Sequence, residues 1–174
     1  TSSGLTDHRG FEWHYLKQLC QREHRQLVGH GAAVNCVRYS RDGSFLASGD
    51  DAAAVRIWRL DGSRELLTID AHRHAVVDVA FSGNGQVLAT IGEDRSCRVW
   101  ETSTGRSLAE LRTNLNPLVS PQLTSVSLSS DGSQCATGDS QGQVTLWQVA
   151  THEGRRLENA QSRPGPCYVA FSPD

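Results

Sequence analysis

The chain has 174 residues, 37% of them hydrophobic, with 16 glycines and a formal net charge of −2. That length gives room for one domain with one core, and the low apolar share suits short strands joined by many turns better than a helical protein. No apolar run approaches the roughly 18 residues of a membrane span, no signal peptide opens the chain, and the slightly acidic balance lacks the basic stripe that a nucleic-acid partner requires.

The sequence holds no methionine, so residue 1 reads as lying downstream of a translation start. Five cysteines, Cys20, Cys36, Cys97, Cys135 and Cys167, have neither zinc nor redox spacing, and their odd count does not make a disulfide framework. They read as reduced, mostly buried thiols acting as small hydrophobes. That usage makes a cytoplasmic location the expectation.

Thr1–Gly4 carries no structural signal. Phe11, Tyr15, Leu16, Leu19 and Cys20 fall at helical spacing behind a capping Asp7, which predicts a short amphipathic N-terminal helix within a segment spanning 1–24. Arg25–Val28 reads as an outer strand ahead of Gly29-His30. Alternating apolar runs then begin at Val34–Tyr39, Val76–Phe81 and Leu123–Leu128. Each is followed by a turn dipeptide, Asp42-Gly43, Asn84-Gly85 or Asp131-Gly132, which predicts a type I′ hairpin with positive φ at both central residues. Second strands follow at Phe45–Ser48, Val87–Thr90 and Gln134–Thr137, and third strands at Val55–Trp58, Cys97–Trp100 and Val144–Trp147. A turn holding Gly62, Gly105 or Gly154 leads to weaker outer strands near Leu66–Ile69, Leu108–Leu111 and Arg156–Leu157. Another unit begins at Phe171-Ser172-Pro173-Asp174.

Trp58, Trp100 and Trp147 are 42 and 47 residues apart, and each turn glycine lies 15 residues before its tryptophan. Four short strands repeated at a period of about 40–45 residues are the mark of a propeller of four-stranded blades. The predicted fold is therefore all-β: a partial propeller over 25–174 with about three four-stranded antiparallel blades and the first strand of a fourth. The repeats fall near 25–66, 67–111 and 112–157, with a truncated start at 158–174.

At these residues the chain resembles the WD40 repeat family. Gly29-His30 is similar to the family's Gly-His pair, and Val55–Arg59 to its strand ending in Trp-Asp. His30 precedes Trp58 by 28 residues, as His72 precedes Trp100. The resemblance implies a hydrogen-bonded tetrad of His, Ser or Thr, Asp and Trp, with Asp six and the hydroxyl eight residues before Trp. The second repeat offers His72, Asp94 and Trp100, with Gly92 where the hydroxyl is expected. The first offers His30 and Trp58, with Ala52 at the Asp position and Asp50 and Asp51 displaced. The third offers Trp147, with Val119 and Gln141 in the His and Asp positions. One near-complete network and two improvised ones are expected.

The longer third interval places an insertion around Thr113–Gln122. The resemblance puts such connections on the face that receives peptides, so Asn114, Leu115, Asn116, Pro117 and Leu118 form a candidate partner-binding loop. A loop that folds its leucines onto the blade edge remains the alternative. Arg9–Leu16 resembles the Arg-Gly-Phe-Glu-Trp-x-Tyr-Leu stretch that leads into WD40 arrays of large bacterial proteins, many fused to serine/threonine kinase domains. No kinase glycine-rich loop, catalytic loop or Asp-Phe-Gly occurs in the chain.

Other chemistry is thin. Gly138–Gly142 fits Gly-x-Ser-x-Gly, but a nucleophile elbow needs a helix after it, and a strand follows here. Asp70, His72 and His74 alternate on an extended chain but lack a fourth ligand. Asp50-Asp51 alone is too few oxygens for calcium. No catalytic, cofactor-binding or metal residue is assigned. The expected function is a non-enzymatic protein–protein interaction scaffold within a larger bacterial, signalling protein. The alternative is a propeller enzyme or metal-binding domain whose site draws on several blades, for which the inner strands offer only Asn35 and Asp78. A third reading is blades that merely complete a larger assembly. Expected partners are a protein or peptide on the propeller face and the remaining blades, or a second copy when isolated, with no nucleic acid and no membrane in this segment.

Overall fold

The structure, a computed structural model, describes residues 26–61, 64–112, 120–157 and 165–172. The predicted helix over Phe11–Cys20 and the loop Asn114–Leu118 lie outside the described residues.

Twelve strands occur among the described residues: β1 (Val34–Tyr39), β2 (Phe45–Asp50), β3 (Ala54–Arg59), β4 (Arg64–Asp70), β5 (Val76–Phe81), β6 (Val87–Gly92), β7 (Cys97–Glu101), β8 (Ser107–Leu111), β9 (Leu123–Leu128), β10 (Gln134–Asp139), β11 (Val144–Gln148) and β12 (Glu153–Leu157). They make three four-stranded sheets, each a meander of sequential antiparallel neighbours. The inner strands β1, β5 and β9 neighbour one another in that order, so the sheets stack blade against blade.

Burial follows from that stacking. The second strands β2, β6 and β10 are covered on both faces after their first residue, which is why Leu-Ala-Ser and Leu-Ala-Thr replace strict polar alternation there. One apolar cluster between the first two sheets holds Ala47, Val55, Ile57, Val79, Leu88 and Trp100; its counterpart further along holds Ile91, Cys97, Val99, Val126, Cys135 and Trp147. Removing these groups from water is the main favourable term.

The turns between first and second strands differ from the type I′ expectation. Positive φ occurs at Gly43, Gly85 and Gly132 (72°, 70° and 76°), while Asp42, Asn84 and Asp131 keep negative φ. The side chain of the Asx residue explains this. Asp42 accepts the Ser40 hydroxyl at 2.6 Å and the Ser44 N–H at 3.0 Å. Asn84 and Asp131 hold their own turns in the same way. Loops so braced need one left-handed residue, not two.

Gly154 is not a turn residue. It pairs with Trp147 inside the β11–β12 ladder, and His152 takes the positive φ instead.

Residues 165–172 run beside β9 without joining a ladder. The Thr124 hydroxyl donates to the Cys167 carbonyl at 2.9 Å, and the Val169 and Phe171 N–H groups donate to the Ser125 and Ser127 hydroxyls at 3.2 and 3.0 Å. One blade earlier, the Val126 N–H donates to Asp78 Oδ2 at 3.3 Å. The segment thus stands to β9 as β9 stands to β5, the place of a fourth inner strand.

Candidate functional site

Each blade buries a tryptophan that donates to a hydroxyl on its second strand, and in the first two blades this bond opens a longer relay. In the first, Trp58 donates its indole N–H to the Ser48 hydroxyl at 2.8 Å, and Ser48 lies 2.6 Å from His30 Nε2. Since that hydroxyl accepts from the indole, its own proton points to Nε2, leaving His30 Nδ1–H to donate to Asp50 Oδ2 at 2.6 Å. Asp50 Oδ1 also accepts the Ala54 N–H at 2.9 Å, tying the relay to the turn before β3.

The second blade runs the same relay through Trp100, Thr90 and His72, at 3.0 and 2.8 Å. Its anion sits elsewhere. Asp94, in the turn, meets His72 Nδ1 at 3.0 Å, and accepts the Ser96 hydroxyl and the Arg73 N–H. Burial alone would raise the Asp94 carboxyl, but hydrogen bonds from His72, Ser96 and Arg73 outweigh it and hold the group well below the usual range. In the third blade Trp147 donates to Thr137 at 2.9 Å, and Asp139 accepts the Gln141 and Gln143 N–H groups. Val119, at the expected His position, lies outside the described residues.

Two readings from sequence are corrected here. The hydroxyl stands ten residues before each tryptophan, at Ser48, Thr90 and Thr137, so Gly92 leaves no gap. Asp50, eight residues before Trp58, is not displaced but is the first blade's anion. The first relay is therefore complete, not improvised.

The relays lie inside the blades, and open surface lies along the inner strands and the turns beside them. Two adjoining open grooves lie there and share Val77, Thr124 and Tyr168. One, about 750 Å³, is bordered by His74, Glu93, Gln122 and Pro166. The other, about 520 Å³, is bordered by Asn35, Cys36, Arg38 and Asp78. Tyr168 is 85% exposed above both. Asp78 is buried where three strands meet: Arg38 of β1 pairs with it at 3.2 Å, and Val126 of β9 donates to it. Burial pushes the Asp78 carboxyl up, against the pull of Arg38 and of the Val126 and Val79 N–H groups. Burial, then the Asp78 charge, pushes the Cys36 thiol up to about 11, so it is not a ready nucleophile.

Other candidate chemistry does not assemble. Both nitrogens of His72 are committed to the relay, and no group of three or more His, Cys, Asp or Glu side chains fit to hold a metal occurs among the described residues. Ser140–Gly142 turn from β10 directly into strand β11, so no helix follows Ser140 as an elbow requires. The candidate loop residues 114–118 are outside the described set, but the chain beyond them reaches the larger groove at Gln122. No motif in the sequence singles out Arg38 or Tyr168. Only the stacking of β1 and the segment 165–172 around β5 and β9 puts them on one groove.

A family model described as WD domain, G-beta repeat matches residues 21–59, 63–101 and 111–148. The chain is 44% identical over 55 residues to the Protein HIRA homolog of Drosophila melanogaster, covering 32% of this chain and 5% of that protein. It is 33% identical over 64 residues to the U3 small nucleolar RNA-interacting protein 2 of Mus musculus, covering 37% and 14%. It is 44% identical over 46 residues to the Protein HIRA of Xenopus laevis, covering 26% and 4%. The matched stretches are thus a small part of each relative's length. Among solved structures, U3-55K and the RRP9 WD40 repeats each superpose with a TM-score of 0.72 at 18% identity over 83% of this chain, which spans 44% and 43% of those chains.

Proposed function

The chain belongs to the WD40 repeat family, and on that premise we propose that it works as a non-enzymatic scaffold that binds a peptide segment of a partner protein. The observation that carries this reading is the paired groove along the inner strands, open to solvent and overhung by Tyr168. An extended peptide fits such a surface. Tyr168 supplies a large, stiff contact area, while Asp78 and Arg38 supply fixed polar groups beside it. Residues 114–118, which lie outside the described residues, are kept as a second proposed contact on the sequence resemblance alone.

One matched relative is by its name an RNA-interacting protein. The net charge of −2 on this chain favours a protein ligand over RNA. A cytoplasmic location fits the cysteine usage, the four described cysteines being free thiols. Placement within a large bacterial signalling protein rests on Arg9–Leu16 alone, and sequencing the gene on both sides of this segment tests it.

Selection from a displayed peptide library tests the main reading. Enrichment of a peptide motif that Tyr168→Ala and Arg38→Ala both abolish, with unchanged circular dichroism, supports it. Retention of a single-stranded RNA probe with no peptide enriched, or turnover of a hydrolase substrate panel, overturns it in favour of an RNA-binding surface or a propeller enzyme.

A further inference from the structure

The interface between adjacent blades occurs twice among the described residues, and one position in it is built from different chemistry each time. Between the first and second blades, Val55 (three residues before Trp58) and Leu88 (twelve before Trp100) are both fully buried in one apolar cluster. One blade on, the residues at these places are Cys97 and Cys135. Both are fully buried, and their sulfurs lie 3.7 Å apart, one on β7 and the other on β10. An aliphatic pair fills the same place in the neighbouring interface, so packing there does not call for two thiols.

We propose that Cys97 and Cys135 are an inter-blade oxidation site, which a hydroperoxide converts to a disulfide that staples the second blade to the third. The first thiolate attacks the peroxide oxygen and becomes a sulfenic acid, releasing water from hydrogen peroxide. The second sulfur then attacks the sulfenic sulfur and expels a second water. Two thiols and one peroxide become one disulfide and two waters. Closing from 3.7 Å to the roughly 2 Å of a disulfide needs only a small approach of two side chains already in contact.

The site is guarded while the blades are packed. Its contact with Cys135, and then burial, push the Cys97 thiol up, so thiolate is scarce until the β7–β10 contact opens. Oxidation therefore reads out how often these two blades part. Cys36, part exposed beside the groove, and Cys167, held against the carbonyls of Asp139 and Gln143, have no such thiol partner among the described residues.

The reduced full chain is treated with hydrogen peroxide in native buffer, blocked with a maleimide and digested with trypsin. The expected product is the peptide Ser96–Arg98 joined to the peptide spanning 113–155, lighter than their sum by two hydrogens and separated again by dithiothreitol. Cys97→Val with Cys135→Leu, the pair used one interface earlier, is expected to keep the circular dichroism spectrum and lose the linked product. Oxidation is expected to raise the Tm of the native chain by several degrees and leave that variant unmoved. The proposal is overturned by sulfinic or sulfonic acid at either residue without a linked peptide, by pairing with Cys36 or Cys167 instead, or by a link that forms only in denaturant. Peptide mapping of the native chain decides the matter even where the double variant fails to fold.

Discussion

The His72 ring occupies the space that a side chain on residue 92 would need: a Cβ built on Gly92 would come within 2.5 Å of His72 Cγ. In the first blade the aligned residue is Asp50, and it grips His30 from that very place. The second blade moved its anion two residues on, to Asp94, and let the histidine ring close over a glycine. Gly92→Asp, which copies the first blade, should therefore not restore a better relay. The ring is buried and bonded at both nitrogens, so the variant is expected to lose about 1–3 kcal/mol. Urea unfolding followed by tryptophan fluorescence measures this, and an unchanged midpoint would show that the ring has room to move.

Among the described residues, two of the strand hydroxyls carry unequal loads. Thr90 accepts from Trp100 and serves His72, while Thr137 is paired with Trp147. Replacing either by Ala leaves a buried indole N–H without its acceptor, at a cost of about 1–3 kcal/mol. Thr90→Ala also removes the partner of a buried imidazole, so it should lie at the upper end and Thr137→Ala at the lower. Thr90→Ser should recover most of the loss. Denaturant midpoints of the three variants establish the order, and equal losses would remove the histidine from the relay's energetics.

Part of the acid sensitivity should arise in the strand 1–2 turns. Hydrogen bonds from Ser40 and Ser44 lower Asp42 to about 2, and those from Ser129 and Ser133 lower Asp131 to about 2, from 3.8. A carboxyl depressed in the folded state contributes stability above its unfolded value, and loses it as pH falls toward its folded one. The window is thus about pH 4 down to 2, and Asp94 adds to it in the same sense. Asp78 opposes it: its raised folded value means that protonation favours the folded chain. Asn84 holds the equivalent turn in the second blade without a titrating group. Asp42→Asn with Asp131→Asn should consequently flatten the loss of Tm between pH 4 and 2 while leaving the Tm at pH 7 little changed. A slope matching the unmodified chain would place the acid lability elsewhere.

These relays also show where reading the residues stops. The period was legible because tryptophan and the turn glycine recur at a fixed interval, and hairpin geometry allows few alternatives at that spacing. Spacing alone does not fix the relay hydroxyl, for a physical reason. Positions eight and ten before the tryptophan point to the same face of a strand, so alternation cannot separate them. What separates them is register: Leu46 pairs with Trp58, which leaves Ser48 on the diagonal within reach of the indole. The anion is hidden for a related reason, since a strand end (Asp50) and a turn (Asp94) each reach the equivalent histidine of their own blade, His30 or His72, from different places in the sequence. The groove needed the join of separate inner strands, as when β1 supplies Arg38 and β5 supplies Asp78.

The first blade leaves a surface that the other two cover. Val34, Val37 and Tyr39 of β1 are 50%, 47% and 65% exposed, whereas the aligned Val76 and Val79 of β5 are fully buried and the aligned Leu123, Val126 and Leu128 of β9 are buried. The difference is position: β5 has the first sheet beside it and β9 the second, while among the described residues no sheet stands before β1. The buried copies show what fits this strip, namely the apolar face of another blade. A second copy of the chain can offer such a face at high concentration, and the hydrophobic gain favours association. Sedimentation velocity over a concentration series should therefore show reversible self-association that Val37→Lys with Tyr39→Glu shifts to higher concentration by tenfold or more. Both substitutions lie on exposed positions, so the far-UV spectrum should not change. A monodisperse monomer across the series, or an association that the double substitution leaves untouched, would mean that β1 is covered by some other part of the chain.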